Sequence, residues 1–115
     1  MRATTLEQSD DEGVKLVRVS GSLTQQGVTD VGPAFSAAMR GGGSVVVDLS
    51  GVDVIATTGI TMLLVADREL KQSGGRMVIA GTRGVVRDVL LRCRLDKVLS
   101  LAPTPDAGVE SVRGQ

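Results

Sequence analysis

Residues 45–49 read Val-Val-Val-Asp-Leu, and this run constrains the fold more than any other segment. A mainly β-branched run with no alternation is typical of a central strand covered on both faces. The flanking sequence supplies the cover. Residues 14–20 (VKLVRVS) set Val14, Leu16, Val17 and Val19 against Lys15 and Arg18, which predicts a strand with one face mostly buried. A shorter strand precedes it around Ala3–Gln8, turned back by the Asp-rich turn Asp10-Asp11-Glu12-Gly13. Gly21-Ser22-Leu23-Thr24 breaks the second strand. Val28, Val31, Ala34, Phe35, Ala38 and Met39 then recur at helical spacing, and Gly41-Gly42-Gly43 ends that helix. After the 45–49 strand, Ser50-Gly51 is expected to turn the chain, with Val52 and Ile55 as buried anchors on either side of Asp53.

A second helix is predicted from Thr57 or Thr58 to about Gln72. Its first half is apolar nearly all round (Ile60, Met62, Leu63, Leu64, Val65), so that end is expected to be deeply packed. Ser73-Gly74-Gly75 stops it. A strand over Arg76–Ala80 follows, then a third helix over Gly84–Arg94 with Val86, Val89, Leu90 and Cys93 inward, and a last strand over Lys97–Leu101. Residues 102–115 form a tail with room for a short helix. Strands alternating with helices imply crossovers and a largely parallel sheet, which the opening hairpin makes mixed. The expectation is one α/β domain over residues 1–115, with a core at about 14–101. A mostly parallel sheet of about five strands is flanked by three to four helices. No repeat is visible in the sequence.

Composition narrows the chemistry. The 115 residues suit one domain. Thirteen basic and thirteen acidic residues cancel, and there is one Phe with no Trp or Tyr. Neither a global field nor stacking platforms are available for nucleic acid. There is no His, which removes the commonest general base and metal ligand, and Cys93 stands alone. An enzyme, a metal site and a bound cofactor are therefore not expected. Met1–Gly13 is polar and acidic, and Ile60–Ala66 is too short to span a bilayer. A cytoplasmic protein without membrane insertion is expected. Asp48 reads as a buried acceptor for nearby N–H groups. Arg83, Arg87 and Arg94 read as a solvated face of the third helix, and Cys93 as a core thiol. The Gly41–Gly43 run follows a helix and precedes a strand, the reverse of the order phosphate cradles use.

Residues 45–60, VVVDLSGVDVIATTGI, resemble the signature of STAS domains, the anti-sigma factor antagonist family. In that family a buried strand Asp-Leu-Ser-Gly-Val leads through a short loop into Asp-Ser-Ser-Gly-Leu at a helix start. Val19-Ser20-Gly21-Ser22-Leu23-Thr24 is similar to the family's strand ending in Gly-Glu-Leu-Asp, and Ser73–Val78 to its Gly-Gly approach to a strand. The match runs from about Val14 to Leu101. The resemblance implies a bacterial partner-switching protein. The unphosphorylated domain would bind an anti-sigma factor that is also a Ser/Thr kinase, with nucleotide on the kinase side, and so release a sigma factor. Phosphorylation in the loop would end that binding. The aligned hydroxyl is Thr58, with Thr57 second. The implied partner-binding set is Thr24, Ala56, Thr57, Thr58, Gly59 and Ile60, on a monomer or weak dimer.

The residues themselves fit such a site. A hydroxyl at a helix N-terminus is a natural N-cap, contributing about 0.5–2 kcal/mol. A phosphate there adds about −1.5 to −2 charge where the helix dipole tolerates it. Gly59 is expected to let a partner or kinase backbone approach closely. Two positions depart from the family: Ala56 and Thr24 stand where it has Asp. These departures leave a second reading open, a non-phosphorylated scaffold or an accessory subunit of a stress-signalling complex or lipid transporter. A third class, a small nucleotide-binding protein, lacks its phosphate-binding glycine motif.

Overall fold

The computed structural model describes residues 3–11 and 13–113. Strand β1 (Thr5–Asp11) pairs antiparallel with β2 (Val14–Leu23). Asp10 and Asp11 thus belong to the strand, not to the turn expected at 10–13, and Glu12 lies outside the described residues. Helix α1 (Gln25–Arg40), strand β3 (Ser44–Ile55), helix α2 (Thr57–Gln72), strand β4 (Arg76–Ala80), helix α3 (Gly84–Arg92), strand β5 (Ser100–Ala102) and helix α4 (Pro105–Arg113) follow. The sheet order is β1-β2-β3-β4-β5, and β2 to β5 are all parallel. Each helical crossover therefore steps to the next strand in the same direction. With the right-handed connection that twisted strands favour, α1, α2 and α3 share one face of the sheet.

Side chains on β2, β3 and β4 confirm the two faces. Val17, Val19, Val45, Val47, Leu49, Met77 and Ile79 join Phe35, Leu63, Leu70, Val86 and Leu90 in the larger core. Val14, Val46, Val78 and Ala80 point the other way and meet Val109 and Val112 of α4. The tail beyond residue 102 is thus a helix that covers the second face, and both β1 and α4, outside residues 14–101, are packed.

Four local expectations fail for identifiable reasons. Ser50-Gly51 does not turn the chain, and β3 continues to Ile55. Register shifts between Arg18 and Ser20 and between Gly21 and Ser22 absorb the irregularity, and Gly51 leaves space that Ser20 Oγ occupies, 2.6 Å from where a Cβ would sit. The third helix ends at Arg92 because Arg94 takes a left-handed conformation (φ 57°). Cys93 is consequently exposed and not a core thiol, and Arg94 lies beyond the helix that Arg83 and Arg87 begin. A short 3-10 turn over Leu95–Lys97 replaces the start of the last strand, which begins only at Ser100.

The last discrepancy concerns α2. Its buried residues are Gly59, Leu63, Ala66, Asp67 and Leu70, a single stripe along the whole helix and not one deeply packed end. One stripe can bury only part of an apolar first half. Val65 stays 37% exposed. Met62 is half-buried.

Candidate functional site

Parallel β2 and β3 end side by side, with Leu23 paired to Ile55. The residues that follow them, Thr24 and Ala56, are the N-caps of α1 and α2. The Ala56 N–H donates to the Leu23 carbonyl at 2.9 Å, which ties the two chain segments together. Both positions where the chain departs from an expected Asp are therefore helix caps, just past the C-terminal ends of the adjacent inner strands β2 and β3.

The two caps differ. Thr24 has extended backbone, and its hydroxyl accepts from the Gly27 N–H at 3.3 Å. Ala56 has the same extended backbone and no side chain that can accept. The N-cap role expected of Thr58 or Thr57 thus falls to Ala56, because the helical turn already includes Thr57. Thr57 and Thr58 are the first two helical residues, and both are exposed. Neither hydroxyl has a hydrogen-bond partner among the described residues. Thr61, one turn on, donates to the Thr57 carbonyl at 3.0 Å. The first turn of α2 carries no acidic side chain; the Gly59 N–H donates to the Ala56 carbonyl at 2.9 Å, while the Thr57 and Thr58 N–H groups meet neither a side-chain cap nor a charge.

Gly59 faces inward. It is buried, and a Cβ there would lie 2.9 Å from Ile55 Cγ1 and 3.1 Å from the Leu23 carbonyl oxygen. The glycine serves the close approach of α2 to the strand ends, not the approach of a partner. Ile60 is half-buried against the core. Of the six residues expected to bind a partner, Thr57 and Thr58 present the accessible groups. Thr24 and Ala56 are partly accessible beside them, and Gly59 and Ile60 hold the turn in place.

Thr57 and Thr58 also form one end of a groove of about 420 Å³ between α1 and α2. Val28, Phe35, Met39, Met62, Val65 and Ala66 line it, with Ser36, Thr61 and Glu69. The sequence signal for this groove was the apolar surplus on the first half of α2. Of those side chains, Met62 and Val65 line a surface cleft beside the hydroxyl pair. The α1 wall carried no separate signal, since Val28 and Met39 belong to the same periodic pattern as its core residues.

Asp48 lies elsewhere. It is 2% exposed, on the α4 face of the sheet, and accepts from the Ser50 N–H at 2.9 Å and from Arg18 Nε at 3.0 Å. Burial alone would raise its pKa. The bonds from the Ser50 backbone and hydroxyl and the Arg18 guanidinium outweigh burial and hold it below the ordinary aspartate value. The residue stabilises the strand, as expected of a buried acceptor, and the sheet separates it from α2. Among the described residues, no helix is long and apolar enough to cross a membrane.

No curated protein matches this chain. Several solved structures do. An anti-sigma factor antagonist from Mycobacterium paratuberculosis is 26% identical, with a TM-score of 0.89 over 96% of this chain and 95% of that one. SpoIIAA in its unphosphorylated form is 19% identical, with a TM-score of 0.73 over 98% and 100% of the two chains. The Bacillus cell fate determinant SpoIIAA in the phosphorylated form is 20% identical, with a TM-score of 0.66 over 91% and 96%. Residues 5–102 match the family described as "Mlab, STAS domain". With that match spanning most of the sequence and the fold shared with these structures, the chain belongs to the STAS domain family.

Proposed function

We propose that this chain is an anti-sigma factor antagonist. It binds an anti-sigma factor of the Ser/Thr kinase type at the start of α2, in the bacterial cytoplasm, and thereby frees a sigma factor. Phosphorylation of Thr58 ends the binding. The observation that carries this reading is the pair of exposed, unbonded hydroxyls of Thr57 and Thr58 on an uncapped helix N-terminus, at the end of an apolar groove. The family relationship supports the partner class.

The physical logic is local. The first turn of α2 tolerates a phosphate because the Thr57 and Thr58 N–H groups meet no side-chain cap and the helix dipole is positive there. The fold persists while the surface changes. A partner packed against neutral threonines and aliphatic side chains would meet a doubly charged group that it must desolvate. The reaction belongs to the kinase, and this chain supplies the acceptor oxygen and the docking surface.

Incubation with the anti-sigma kinases of the source organism and ATP, followed by mass spectrometry of the peptide spanning residues 53–68, tests the reading. Phosphate on Thr58 and loss of the complex on phosphorylation are the expected results. Stable complexes with no phosphate on Thr57 or Thr58 would favour a docking module without a switch. Ala56 gives that second reading a specific basis, because no side chain at the α2 cap helps position a kinase. No complex with any anti-sigma factor would overturn the proposal.

A further inference from the structure

The α1–α2 groove defines more about its occupant than that it is apolar. Along α1 the lining runs from Val28 to Met39, and along α2 from Thr57 to Glu69. Each wall is therefore three helical turns, about 16 Å at 1.5 Å per residue. Both helices return from the ends of parallel strands to the starts of the next, so they run in the same direction. A cleft between two parallel helices is shaped for a third. Met62, half-buried on the α2 wall, has an unbranched side chain that adapts to the ridge that enters, above the buried Met39 of the α1 wall.

The charges give the occupant a direction. Among the described residues, Glu69 is the one ionisable group lining the groove, and it sits at the end opposite Thr58. The Thr58 end presents the Thr57 and Thr58 N–H groups of α2, which no side chain caps. One end of the groove is thus negative and the other carries the positive end of a helix dipole. A docked helix complements both ends only if its positive N-terminal end lies at Glu69 and its negative C-terminal end lies at Thr58.

We infer that the groove seats one amphipathic helix of the anti-sigma partner, about three turns long and antiparallel to α1 and α2. This rests on the functional reading above and says how that partner is held. The arrangement also places the switch: a phosphate on Thr58 would face the carbonyl end of the docked helix, where negative charge is least tolerated.

The test combines affinity with contact mapping on the full chain and the anti-sigma factors of the source organism. Titration calorimetry should show Val65→Glu weakening the complex more than tenfold and Glu69→Lys weakening it about three- to tenfold. Arg68→Glu, on the exposed side of α2, should change it less than twofold. Circular dichroism of each variant confirms that it is folded. A photo-crosslinker at Ser36 should attach to partner residues spaced three and four apart, the signature of a helix. Attachment at alternate residues would mean an extended segment and would overturn the helical occupant. Wild-type binding that ignores Val65→Glu and Glu69→Lys would overturn the groove and leave the antagonist reading intact. Absence of binding by the wild type would remove both.

Discussion

The two junctions from strand to helix, β2 to α1 and β3 to α2, are built alike and differ where function would lie. Each strand ends in a buried aliphatic, Leu23 or Ile55, paired across the sheet. Each continues through an extended N-cap, two exposed residues and a buried glycine, giving Thr24-Gln25-Gln26-Gly27 and Ala56-Thr57-Thr58-Gly59. In each, a threonine one turn on donates to the carbonyl of the first helical residue: Thr29 to Gln25 at 3.1 Å, and Thr61 to Thr57 at 3.0 Å. The strand pairing and the glycines therefore set the scaffold at both places. What separates them is a hydroxyl cap and two glutamines at the first, against a bare alanine and two threonines at the second. The second junction leaves its helix N-terminus open and puts modifiable oxygens beside it.

Substitutions at matched positions would break or sharpen this comparison. The largest effect is expected at the glycines, and it should be unequal. A Cβ on Gly27 would meet the Ser22 carbonyl oxygen at 2.0 Å, which is backbone and cannot rotate away. At Gly59 the nearest atom is the Ile55 side chain at 2.9 Å. Urea unfolding should show Gly27→Ala losing about 3 kcal/mol and Gly59→Ala about 1–2 kcal/mol. Equal losses would mean that the two helices are not seated as described.

The caps come next, and here the signs should be opposite. Thr24→Ala removes an acceptor and should cost about 1 kcal/mol, whereas Ala56→Ser supplies one and should gain a similar amount. A neutral Ala56→Ser would mean that the α2 terminus is already satisfied. The smallest stability effect is expected from Thr58→Ala, within about 0.5 kcal/mol, because its hydroxyl is exposed and unbonded. A loss well above that would assign Thr58 a structural role and weaken its reading as a switch.

Much of this architecture was legible in the sequence because it rests on periodicity. The unalternating Val45–Leu49 run, the helical spacing from Val28 to Met39 and the glycine stops gave the element order and the mixed sheet. The misses share a cause, which is that pairing and packing overrule local signals. Ser50-Gly51 reads as a turn, yet β2 shifts its register to keep β3 extended. Cys93 keeps the apolar spacing of α3, but the left-handed Arg94 ends the helix before that spacing can bury it. At the site, Thr57 and Thr58 were identifiable from the likeness of residues 45–60 to the STAS signature. Their relation to the cap was not, since a one-residue change in the helix start decides which residue caps. The groove was the least legible part. Whether Val65 and Met62 are core or cleft depends on how far α1 stands from α2, which no spacing in the sequence encodes. The likeness of the two junctions was hidden as well, because Gln-Gln and Thr-Thr share no side-chain pattern.

The central claim is that the second junction, and not the first, is where a partner docks and a charge ends the docking. Gln26 and Thr58 occupy the same position in their helices, so the same charge can be placed at both. Affinity for the anti-sigma factor, measured by titration calorimetry for Thr58→Glu and Gln26→Glu, tests the claim directly. A loss of tenfold or more is expected at Thr58, about 1.4 kcal/mol, and less than twofold at Gln26. Equal affinities for the two variants, or a larger loss at Gln26, would contradict it.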